Sequence, residues 1–157
     1  MTELPQSEQA KREVAAAVHS FFEAGKNGDL SSLMRMHGPS DIFTKFGDVP
    51  PYTRQGSEEA FAYEQASFAN MSDYRYQLDD LRIDLAGGLA IATFYLDERG
   101  MIVNDYSFEG RTVSTRSRVT MLLVKLDGSW RIIHEHFSSI PGWEPEAEGS
   151  DSEGERN

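Results

Sequence analysis

Apolar positions along residues 7–26 recur at helical spacing. Val14, Val18, Phe21 and Gly25 form one stripe, flanked by Ala17 and Phe22. Asn27-Gly28 ends this helix, because glycine tolerates the left-handed conformation that closes a helix C-terminus. Asp29 caps a short second helix through Met36. Pro39 and Ser40 lead into a short strand, Asp41 to Phe46, and residues 47–56 read as a loop holding Pro50 and Pro51. Ser57 caps a third helix, with Glu58 and Glu59 in its first turn, where the helix dipole favours acids. Its apolar face is Phe61, Gln65 and Phe68.

From Tyr74 onward the period changes to two. Leu81, Ile83 and Leu85 alternate with Arg82 and Asp84. Gly87-Gly88 turns the chain, and with no helix after it the pair is no phosphate cradle. Leu89 to Leu96 is apolar on both faces and reads as a central strand. Asp97 to Gly100 reads as a turn, Ile102 to Phe108 as a further strand, and Gly110 precedes a long strand to Leu126. Asp127-Gly128 is a strong hairpin signal, followed by a last strand from Trp130 to Ser138. Helices first and antiparallel strands after them predict an α+β domain. A curved sheet of about four to six strands wraps three N-terminal helices as a cone, leaving a cavity between sheet and helices.

Composition narrows the partners. The net charge of −11 argues against nucleic-acid binding, which needs clustered Lys and Arg. Much of that charge is local. Residues 144–157 carry six acids against Arg156 alone and read as a disordered acidic tail behind a single domain over residues 1–143. The chain has no cysteine, which excludes disulfides, thiolate metal sites and a cysteine nucleophile. No apolar run is long enough to span a bilayer, and the polar start of the chain carries no signal-peptide pattern. A cytoplasmic protein without membrane contact is expected.

The stretch from Arg118 through Asp127-Gly128-Ser129-Trp130-Arg131 to His134-Glu135-His136-Phe137-Ser138 resembles the terminal hairpin of SnoaL-like and ketosteroid isomerase-like proteins of the nuclear transport factor 2-like superfamily. Phe21 to Leu33, with Asn27-Gly28-Asp29 at its centre, resembles the first helical pair of the same group, and Gly56 before helix three also fits. The likeness covers about residues 10–140 and implies a cone-shaped, cystatin-like fold. That fold hosts isomerases, cyclases, hydrolases, dehydratases and non-catalytic assembly domains, so function must come from the site. The steroid isomerases use a tyrosine, a loop aspartate and a sheet acid. The resemblance puts Phe21 at the tyrosine position, Thr120 at the sheet acid and Asp48 or Gly47 at the aspartate, so that mechanism is not expected here.

If Thr120 faces inward, alternation sends Arg118 and Leu122 the same way, and a symmetric hairpin adds Ile133, Glu135 and Phe137. Glu135 and Asp48 are then the acid–base candidates. Arg118, Thr120, Phe137, Ile133, Phe21 and Leu122 are the ligand-binding candidates, with Tyr52 near the cone mouth. Arg118 and Glu135 read either as a ligand-handling pair or as an internal ion pair. His134 and His136 share one strand face but lack a third ligand, so neither a metal nor a cofactor is expected. The opposite face, with Trp130, Ile132, Val119, Met121 and Leu123, is expected to be the outer one and to form a homodimer. Two functions remain open. One is a pocket binding a small, mostly apolar molecule, with acid–base chemistry of the isomerase, cyclase or hydrolase type. The other is a non-catalytic dimeric binding or assembly module, as in the hub domain of calcium/calmodulin-dependent kinase, whose hairpin carries a similar His-x-His.

Overall fold

The computed structural model describes residues 6–103 and 110–145, with the side chain of residue 103 left out. The acidic tail from residue 146 and the expected strand end at 104–109 lie outside the described residues. Three helices, α1 (Gln6–Lys26), α2 (Leu30–Met36) and α3 (Ser57–Ala69), pack on a six-stranded sheet. The strands are β1 (Thr44–Phe46), β2 (Arg54–Gln55), β3 (Met71–Ala86), β4 (Leu89–Val103), β5 (Gly110–Leu126) and β6 (Ser129–Ser139), in the order β2-β1-β6-β5-β4-β3. This is the α+β architecture expected. No described helix is long and apolar enough to cross a membrane.

The stripe of α1 is buried as its spacing requires, from Val14 through Val18 and Phe21 to Gly25. Gly28, at φ 67°, closes the helix, and Asp29 accepts from the Ser32 amide at the start of α2. Gly25 lets Phe68 of α3 lie against the backbone of α1, and a Cβ there would overlap the Phe68 ring. Gly25→Ala is therefore expected to cost about 1–3 kcal/mol through overpacking, read as a lower urea midpoint. Truncating Phe68 to Leu in the same chain should recover part of the loss.

Three local readings change. Gly56, not Ser57, is the cap residue of α3, without a side-chain hydrogen bond. The buried line of α3 is Ala60 and Glu64, one residue behind the expected Phe61 and Gln65. Asp97 to Gly100 is no turn, because β4 runs through it, paired with β3 on one side and β5 on the other.

The largest correction concerns the faces of the last hairpin. Near the turn the pairing is symmetric, with Leu126 opposite Ser129 and Leu123 opposite Ile132. A β-bulge then leaves Ile133 unpaired, and beyond it Met121 stands opposite Glu135 and Val119 opposite Phe137. Val119, Met121, Leu123 and Ile132 are core residues, each at most 3 % exposed. They cannot form a dimer face. Trp130, the fifth residue expected there, is partly buried and donates to Glu13 at 3.2 Å.

Candidate functional site

Four ionisable side chains meet in the interior, each delivered by a different element. Glu135 comes from mid-β6 and is fully buried. β1 runs parallel to β6 and places Lys45 beside Glu135. His37 follows α2, where the chain bridges to Ile132 and the Gly38 amide donates to the Ile132 carbonyl at 2.7 Å. Glu64 comes down from α3.

The four form a closed ring of alternating charge. His37 Nε2 lies 3.2 Å from Glu64 Oε2 and 3.2 Å from Glu135 Oε1. Lys45 Nζ lies 3.2 Å from Glu64 Oε1 and 3.3 Å from Glu135 Oε2. His37 Nδ1 donates to the Leu33 carbonyl at 2.8 Å, so the proton needed between Nε2 and the two carboxylates makes the ring an imidazolium. Burial opposes that charge, but Glu135 and Glu64 outweigh it and lift His37 to about 10. Burial also opposes the charge of Lys45, and the same two carboxylates raise its pKa above the ordinary lysine value. The carboxyls titrate as one unit. Burial and the charge of Glu135 push Glu64 up, whereas Lys45 and His37 overcome burial to hold Glu135 at about 2. Glu64 is therefore the first of the two to take a proton.

His37, Glu64 and Glu135 present one ligand atom each within 4.8 Å of one another, the spacing of a metal triad. Lys45 and the imidazolium already neutralise those carboxylates, and a cation entering there would meet the ammonium directly. The donor set therefore does not fit a metal while Lys45 is in place.

One side of the ring opens into a cavity of about 240 Å³ between α1, α3 and the sheet. Lys45 and Glu64 reach its lining, with Tyr63 and Phe137 beside the ammonium at 5.5 and 4.8 Å from Nζ to the ring centres. Glu135 and His37 are not in the lining. Farther along the wall, Tyr74 on β3 donates its hydroxyl to Glu98 Oε2 on β4 at 2.7 Å. Burial raises Glu98, with the Asp48 charge adding to it, against the lowering by the Tyr74 hydrogen bond. Asp48 also lines the cavity and accepts from Ser139 at 2.9 Å and Ser117 at 3.4 Å.

The sequence-based candidates divide accordingly. Phe21, Phe137 and Asp48 line the cavity. Glu135 points inward as expected, but its oxygens belong to the ring. Arg118, Thr120 and Leu122 alternate with the buried Val119 and Met121 and so occupy the outer face. Arg118 is exposed there and donates to Ser138 at 3.1 Å, so the Arg118–Glu135 pair does not exist. Ile133 sits in the bulge against Gly38 and does not line the cavity. Tyr52 is 65 % exposed and also outside the lining. His134 accepts from or donates to Thr44 at 2.8 Å, at the β1 edge of the outer face.

His37, Lys45, Glu64, Tyr74 and Glu98 were missed. Lys45 was signalled by its place two residues after the apolar Phe43, which puts both on one strand face. Glu64 was signalled by the spacing Ala60, Glu64, Phe68, four residues apart on one helix face.

An NTF2-like superfamily protein from Salmonella enterica is similar in structure, with a TM-score of 0.72 at 20 % identity over 91 % of this chain and 99 % of that one. A Caulobacter vibrioides protein with a cystatin-like fold gives 0.66 at 20 % identity, over 83 % and 89 %. The association domain of CaMKII from C. elegans gives 0.66 at 16 % identity, over 86 % and 100 %. At these identities the likeness establishes the fold alone. No curated protein matches the chain. The SnoaL-like domain family matches residues 14–142, and the chain belongs to that family.

Proposed function

We propose that the chain binds a small, mostly apolar molecule in the cone and performs acid–base chemistry on it. The observation that carries this reading is the division of the interior into a closed charge ring and an open cavity. The ring residues neutralise one another's charge. The cavity holds Glu98 and Asp48, which among the described residues accept hydrogen bonds from hydroxyl groups, those of Tyr74, Ser117 and Ser139, and the Asp48 charge helps burial to raise Glu98 against the lowering by Tyr74 and Lys45. Such a pair has the asymmetry general acid–base catalysis needs. Glu98, kept protonated more readily by burial, is the acid. Asp48, held by two serines, is the base. Glu135, the earlier candidate, is assigned a structural role.

Native mass spectrometry of the purified protein tests this. A retained small molecule is expected, and Val113→Trp, which fills the cavity from the sheet side, should abolish its retention. A protein that carries and binds no small molecule in either form sinks the reading.

A second reading is an assembly module of the same fold. It draws support from the similarity to the CaMKII association domain and from a charge ring that is complete without ligand. Self-association would then use the outer sheet face, with Leu122, Thr120 and Tyr95, in place of the buried residues first expected there. The same spectra give the subunit count, and a monomer at micromolar concentration would remove this alternative.

A further inference from the structure

The balance of groups lining the cavity bears on the class of molecule it takes, and this step rests on the pocket reading above. Six aromatic side chains face it, Phe21, Phe22, Tyr63, Phe68, Tyr74 and Phe137. Three carboxyls line it, from Asp48, Glu64 and Glu98, against Lys45 as the single cation among its described lining residues. Lys45 is not available to an incoming anion. Its ammonium already touches Glu64 at 3.2 Å and Glu135 at 3.3 Å, so an anionic headgroup there would break a buried pair. Farther along the wall the groups are different in kind. Glu98 stands opposite Thr115 across the β4–β5 ladder and Ser117 opposite Leu96, which makes Glu98 and Ser117 close neighbours on the inward face. Asp48 bonds to that same Ser117. Two carboxyls are thus brought together at an apolar, aromatic wall, with hydroxyls as their partners.

A ligand ammonium is the group that such a wall favours. It brings a full positive charge to Asp48, draws the raised Glu98 towards its ionised form, donates to both, and sits against the negative faces of aromatic rings. We propose that the cavity takes a small amine, with its protonated nitrogen between Asp48 and Glu98 and its apolar body against the aromatic walls. A neutral molecule gains only the apolar contacts, and a carboxylate meets like charge.

Calorimetric titration with 4-phenylbutylamine, 4-phenylbutanol and 4-phenylbutyrate tests this, because the three share one body and differ in headgroup. The amine is expected to bind at least about tenfold more tightly than the other two, the scale of one hydrogen bond to a charged group. Asp48→Asn and Glu98→Gln, each checked for an unchanged melting temperature, should weaken the amine about tenfold and the alcohol less than about twofold. If either variant unfolds, repeating the series on the wild type with Val113→Trp as the blocked control keeps the comparison of headgroups intact. Equal or tighter binding of the alcohol or the carboxylate, abolished by Val113→Trp, overturns the amine assignment and leaves the pocket reading standing. Binding of none of the three, or binding indifferent to Val113→Trp, overturns both.

Discussion

Glu135→Gln is expected to lower the stability of the domain by about 3–5 kcal/mol at neutral pH, measured by urea unfolding. The change is nearly isosteric, so packing is kept and the loss isolates the charge. Glu135 is fully buried, and its two oxygens face His37 at 3.2 Å and Lys45 at 3.3 Å. Removing the charge leaves two buried cations to share Glu64. The imidazolium and the ammonium, each stabilised through both carboxylates, then repel one another with only Glu64 to offset them. Arg118→Ala provides the contrast. Arg118 is exposed, with Ser138 as its hydrogen-bond partner, and its loss should stay within about 0.5 kcal/mol. The two results together separate the observed ring from a pair between Arg118 and Glu135. Near-neutral behaviour of Glu135→Gln would mean that the ring does not hold the fold together.

The contrast also marks how far the sequence could be read. The three helices and the terminal hairpin follow from periodicity, from Asn27-Gly28-Asp29 and from Asp127-Gly128. The pairing near the hairpin turn was legible too, because a two-residue turn fixes its register. What periodicity cannot give is a bulge. Ile133 inserts one residue into β6, so Ile132 and Glu135 face the same side although alternation separates them. Counting from the wrong face of β5, alternation nonetheless placed Glu135 inside, because the bulge reversed the face a second time. Arg118, Thr120 and Leu122 had no such reversal and fell on the outer face. The partners of Glu135 lay beyond any local pattern. Lys45 reaches it through a parallel pairing of β1 with β6 and His37 through a parallel bridge to Ile132, both from far back in the chain, and no spacing rule connects them. The acid pair of the cavity was half visible. Asp48 came from the family resemblance, while Glu98 was hidden in a stretch that reads as a turn and is a strand.

Lys45→Met is expected to be as costly as loss of Glu135, about 3–5 kcal/mol at pH 7, and to differ from it in its response to pH. Methionine fills a similar volume between Tyr63 and Phe137, so the apolar contacts of the side chain largely survive. The ammonium that touches both carboxylates is lost, and Glu64 and Glu135 keep only His37 between them. One of the two carboxyls must then hold a proton more tightly in the folded state than in the unfolded chain. A carboxyl raised in this way stabilises the fold below its ordinary pKa of 4.5, and the contribution is lost as pH rises through the folded value. In the wild type the contributions oppose one another. Glu135, lowered to about 2, contributes in full above 4.5 and loses that as pH falls towards 2. Glu64, raised, works in the other direction. His37, raised from 6.5 to about 10, contributes in full below 6.5 and loses it as pH climbs to 10. Between pH 7 and pH 5 the variant should therefore recover about 1–2 kcal/mol relative to the wild type, since one extra proton bound on folding is worth about 1.4 kcal/mol per pH unit. Urea unfolding of both proteins at the two pH values reads this directly. A deficit that stays constant between them would show that Lys45 does not hold the two carboxylates together, and the ring would reduce to separate pairs.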